Sequence, residues 1–101
     1  MASRKELHNR LCEILGSKNV YFNPPESLKI EYPCIVYNLD NKELVHADNG
    51  NYLKRNYYNI TLIHPDPVNT IQDMIMDLPY CSFVSFYSVE DLNHYRYQIY
   101  Y

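Results

Sequence analysis

Glycine is nearly absent from this chain. With only Gly16 and Gly50 among 101 residues, neither a glycine-rich phosphate cradle nor a G-x-S-x-G nucleophile elbow can be written, since both need several unusually free backbone positions. The three cysteines, Cys12, Cys34 and Cys81, are odd in number and show no C-x-x-C spacing. That pattern supports neither a zinc knuckle nor a complete disulfide framework, and free, structural thiols are expected. His8, His46, His64 and His94 fall in separate stretches without H-x-x-x-H or H-x-H spacing. No metal, cofactor or catalytic residue is therefore expected, unless folding brings two histidines together. A basic excess is also missing: the formal charge is -3 and the pI about 5.7. The adjacent basic pairs Arg4-Lys5 and Lys54-Arg55 suit solvated faces better than a phosphate-binding surface. No apolar run approaches the roughly 20 residues of a membrane span. The opening Met1-Ala2-Ser3-Arg4-Lys5-Glu6 has no apolar h-region, so no secretory signal is expected and the cytoplasm is the expected compartment.

What the chain does have is apolar and aromatic side chains. A hydrophobic fraction of 47% is well above that of disordered segments, and the length suits one domain, residues 1–101. Twelve tyrosines and no tryptophan are the strongest bias. Tyrosine pairs a large apolar ring with a polar tip, so it supplies β-propensity in a sheet and also suits a surface that is wet in a monomer and covered in an assembly.

The clearest structural signal runs from Tyr52 to Leu78. Tyr58, Ile60 and Leu62 alternate with Tyr57, Asn59 and Thr61, the pattern of a strand, Tyr52–Ile63, with one drier face. After His64-Pro65-Asp66-Pro67 the period changes. Val68, Ile71, Met74, Ile75 and Leu78 recur at three and four residues, which predicts a helix with Asp66 as N-cap and Pro67 at N1. Laid back across the sheet, its stripe predicts a core of Leu11, Ile35, Ile60, Leu62, Ile71, Met74 and Ile75. An earlier helix opens with the capping box Ser3-x-x-Glu6, carries Leu7, Leu11, Ile14 and Leu15, and stops at Gly16. Val20-Tyr21-Phe22 reads as a short strand. Cys34–Leu39 reads as a strand in mid-sheet, covered at least in part on both sides. The Tyr32-Pro33 bond is open to either isomer. Past Leu78-Pro79, Cys81–Tyr87 is β-like, Asp91–His94 a turn, and Tyr95–Tyr101 a strand with Tyr95, Tyr97 and Ile99 on one side. The expected architecture is α+β, order α-β-β-β-α-β-β, with two helices on one face of a mostly antiparallel sheet.

Between the second and third strands the chain is polar and carries Asp48-Asn49-Gly50-Asn51, which predicts a long hairpin, Leu39–Ala47 against Tyr52–Ile63, with its tip near Asn49-Gly50. His46, Asp48, Asn49, Tyr52, Lys54 and Arg55 mix both charge signs with an aromatic, and are the candidate assembly contacts. An ordinary solvated hairpin would carry similar residues.

Several phrases of the sequence taken together carry a resemblance. Leu15-Gly16-Ser17, Asn19-Val20-Tyr21-Phe22-Asn23-Pro24-Pro25, Tyr32-Pro33-Cys34-Ile35-Val36-Tyr37, the tyrosine-rich strand ending near Ile63, Leu78-Pro79-Tyr80-Cys81 and Leu92-Asn93-His94 are similar to the tail completion family. This family of small proteins, also called tail terminator or tail-to-head joining proteins, is encoded in the tail-assembly region of long-tailed phages and prophages. The resemblance runs over nearly the whole chain, through structural phrases and not a catalytic signature. It implies a structural protein, not an enzyme, made in the host bacterial cytoplasm and placed at the head-proximal end of the virion tail. It also implies a homo-oligomeric ring, a hexamer, seated on the tail tube protein and offering a face to the head–tail connector protein. DNA would pass its lumen without specific binding, and no membrane is involved. A head-completion protein of the same virion and a monomeric non-viral binding module are the alternatives.

Overall fold

The computed structural model describes residues 4–25, 27–46 and 52–100. Helix α1 (Arg4–Leu15) is followed by strands β1 (Val20–Phe22), β2 (Cys34–His46) and β3 (Tyr52–His64), helix α2 (Ile71–Met76), and strands β4 (Cys81–Val89) and β5 (Leu92–Tyr100). The strands form one sheet in the order β1-β2-β3-β5-β4. Only β1 and β2 run parallel; the other pairs are antiparallel. The fold is α+β, as the sequence predicts.

Cross-strand register explains the core. Ile35 faces Leu62 and Leu62 faces Tyr95; Tyr37 faces Ile60 and Ile60 faces Tyr97. These two rows, with Tyr58 and Ile99, lie on one face of the sheet and pack with Leu7 and Leu11 of α1 and with Ile75 and Leu78. Both helices therefore cover the same face, where an amphipathic stripe meets an alternating strand pattern. Gly16 closes α1 with φ +78°, and its N–H donates to the Cys12 carbonyl at 2.9 Å, the left-handed end that glycine adopts without a Cβ penalty. Ser3 of the expected capping box lies outside the described residues.

The second helix departs from expectation. It begins at Ile71 with Thr70 as N-cap, which makes no side-chain capping bond, and Val68 is 80% exposed. Asp66 spends its carboxylate locally: Oδ1 accepts from the Val68 N–H at 3.0 Å, a turn two residues long. The cap-type bond comes from Asn69, whose Oδ1 accepts from the Gln72 N–H at 3.1 Å. With the stripe shortened, Ile75 and Leu78 are buried and Ile71 is half-buried, whereas Met74 is exposed at the flank facing α1.

One further difference concerns the strands. The turn between β4 and β5 is Glu90-Asp91, with φ 51° and 65°, a two-residue hairpin loop whose positive φ values match the strand twist; Leu92, Asn93 and His94 belong to β5. Strand β2 is interior to the sheet and, as expected, covered in part on both sides: Ile35 and Tyr37 are buried on the helix side, Cys34 is buried and Val36 half-buried on the other, and Asn38 and Leu39 are exposed. The Tyr32-Pro33 peptide bond is cis.

Candidate assembly surfaces

The hairpin extends past the rest of the sheet. β2 and β3 pair as far as His46 opposite Tyr52, with an irregularity between Leu39 and Asn41. By contrast β1 reaches only Tyr37 of β2, and β5 begins its pairing with β3 at Tyr57. Strands of 13 residues span roughly 43 Å, which accounts for principal extents of 51 by 27 by 22 Å. Along both outer edges of the projecting arms the backbone has no neighbouring strand among the described residues. Of the candidate contacts, His46 stands opposite Tyr52, Lys54 opposite Leu44 and Arg55 opposite Glu43 on these arms. Asp48 and Asn49 lie outside the described residues.

The polar groups near the core work as struts. The Tyr37 hydroxyl lies 3.2 Å from Arg4 Nη1 and 2.7 Å from His8 Nδ1, and the Arg4 guanidinium sits 4.4 Å above the Phe22 ring. One buried hydroxyl thus ties α1 to β2, while the cation caps an aromatic at the sheet edge. Asn93, the buried polar residue of β5, donates from Nδ2 to the carbonyls of His64 at 3.1 Å and Pro65 at 3.3 Å, and its Oδ1 accepts from the Ser88 hydroxyl at 2.9 Å. The Tyr95 hydroxyl donates to the Pro67 carbonyl. The proline-rich turn after β3 is held by these two β5 side chains, which explains why a segment with few apolar residues sits in a defined place.

Burial makes the three thiols and three of the tyrosines hold their protons more tightly. Burial pushes the Cys34 thiol up to about 12 and the Cys81 thiol up to about 11, and it also raises Cys12 against the opposing charge of Lys18. Such thiols stay protonated near neutral pH and are poor nucleophiles and metal ligands. Burial raises Tyr37, Tyr95 and Tyr97 as well. Among the described residues no group of three or more His, Cys, Asp and Glu side chains is placed to hold a metal ion.

Two surfaces were not singled out by the sequence reading. One is a cleft of about 290 Å³ between the helices, lined by Arg10, Glu13, Ile14, Met74, Asp77 and Leu78. It is open and slightly below the size range of small-molecule pockets, and does not enclose a ligand. The other is β4, at the sheet edge, where Phe83, Val84, Phe86, Tyr87 and Val89 are each 43–49% exposed. The signal for it was present: Cys81–Val89 contains no charged residue and no proline, but a strand of this kind reads equally well as interior. No family model matches the chain, and no curated protein matches it.

Proposed function

We propose that this protein is a tail completion subunit of a long-tailed phage or prophage, forming a ring on the end of the tail tube and joining it to the head connector. The observation that carries the reading is the hairpin: its arms project beyond the sheet, and among the described residues no strand pairs with their outer backbone edges. An element of this kind finds its remaining hydrogen-bond partners between subunits or on a tube. The α+β architecture agrees with what the sequence resemblance implies. The net charge of -3 suits a lumen that DNA crosses without adhering. Chemistry plays no part in the mechanism. The subunit acts through shape, by ending tube growth and presenting a new face.

The test is a variant carrying Asn51→Ser, Tyr52→Ser, Lys54→Ser and Arg55→Ser. The expected result is unchanged thermal stability with overgrown tails or tails that fail to join heads. Unchanged yield of infectious particles would refute a role for the hairpin in assembly. Finding the protein at the head-proximal end of tails purified from a head-defective infection separates tail completion from head completion.

A further inference from the structure

We infer that the outer edge of β4, the terminal strand of the sheet among the described residues, is a pairing site for a second copy of this chain, whose own β4 adds antiparallel across a two-fold axis centred on Phe86. The inference goes beyond the tail-completion reading and does not depend on it, because it concerns free subunits.

The backbone sets the class of partner. Val89 and Leu92 flank a two-residue turn, so they form a hydrogen-bonded pair, and alternation then turns the backbone groups of Tyr87 and Ser85 toward β5. The N–H and C=O groups of Phe86 and Ser88 consequently point away from β5, at the outer edge of the sheet. Only another extended strand satisfies such a row without a gap. A register centred on Phe86 pairs Phe86 with its own copy and brings Ser88 opposite Val84 of the copy, the extra residue at the irregularity, where regular pairing ends.

The side chains narrow the partner to a second copy. Phe83 and Phe86 stand on the helix-covered side, against Tyr97 and Tyr95 at 5.6 and 4.9 Å between ring centroids. Tyr87 stands on the opposite side, stacked on His94. Apolar surface is thus exposed on both faces of the strand, and a two-fold pair matches it on both faces at once. The absence of charge from Cys81 to Val89 means that self-pairing opposes no like charges. The terminal strand at the far side of the sheet is a poorer mate: β1 has three residues and is soon followed by Pro24 and Pro25, which donate no backbone hydrogen bond.

Area agrees with a weak pair. Half-exposed rings at Phe83, Phe86 and Tyr87 leave roughly 90 Å² each. With the valines, strand backbone and nearby Tyr80, two copies expose on the order of 1,000 Å² along this strand, of which edge pairing covers a part, the size of a weak, transient contact. The irregularity between Phe83 and Ser85 bends the first part of the strand, limits the flat pairing length, and favours a discrete pair over an open-ended stack.

Sedimentation equilibrium of the unmodified chain at micromolar to sub-millimolar concentration tests this. The expected mass approaches twice 12.1 kDa as concentration rises. Val84→Lys with Val89→Lys changes two exposed side chains and should raise the dimer Kd at least about tenfold while the melting temperature holds; Val89→Lys alone is the second variant if the double change unfolds the hairpin. Phe86→Cys should form a disulfide dimer under mild oxidation, because hydrogen-bonded antiparallel partners lie about 5.5 Å apart at Cα, within disulfide reach. The parent chain under the same oxidation is the control. A monomer at every concentration, an unchanged Kd in folded lysine variants, or no crosslink at position 86 would each overturn the inference.

Discussion

Replacing Leu62 by alanine tests the packing argument at its centre. Leu62 is fully buried on β3, with Ile35 opposite on one side and Tyr95 on the other, so the vacancy is walled by strands hydrogen-bonded in place and can collapse little. Loss of transfer free energy plus an unfilled cavity gives an expected cost of about 3–4 kcal/mol, in the upper part of the range for buried Leu→Ala changes. Met74→Ala is the matched control. Met74 belongs to the same predicted stripe but is 44% exposed, and a side chain half in water should cost less than about 1.5 kcal/mol. Urea titration followed by tyrosine fluorescence reads both. With a slope of about 1.5 kcal/mol/M, Leu62→Ala should lower the midpoint by about 2 M and Met74→Ala by less than about 1 M, each with the slope unchanged. Equal costs for the two substitutions would refute the assignment of Leu62 to the core and of Met74 to the rim.

Two further outcomes follow from the polar groups. Tyr37, Tyr95, Tyr97, Cys34 and Cys81 all have folded-state pKa values above their ordinary ones, so the native state holds these protons more tightly than the unfolded chain. The stability they confer is complete below the unfolded values near 9 to 10 and is lost as pH rises toward the raised values; melting temperature should fall steadily from pH 9 to 12, and a flat profile would contradict the burial of these groups. Asn93→Ala leaves the His64 and Pro65 carbonyls and the Ser88 hydroxyl without their partner, and should cost about 1–3 kcal/mol. Amide exchange at Asp66 and Val68 should quicken more than at Ile60, and uniform protection would refute the clamp.

Local periodicity alone carried the strand faces and the first helix. Tyr58, Ile60 and Leu62, and likewise Tyr95, Tyr97 and Ile99, are inward as their alternation predicts, and Leu7 and Leu11 are buried as the stripe predicts. These features depend on a residue and its neighbours within a turn or a strand, where the backbone period fixes direction. The hairpin was legible for the same reason, since its pairing is between adjacent segments. Its contacts are not fixed by that pairing, which reports backbone register alone. Only the tertiary structure decided the rest. The parallel placement of β1 and the position of β5 between β3 and β4 join segments far apart in sequence, and no local period reports that choice. The late start of α2 depends on Asp66, Asn69, Tyr95 and Asn93 acting together. The exposure of β4 follows from its place at the sheet edge: an uncharged apolar strand reads the same at the edge or in the interior, and only its neighbours determine which residues face water.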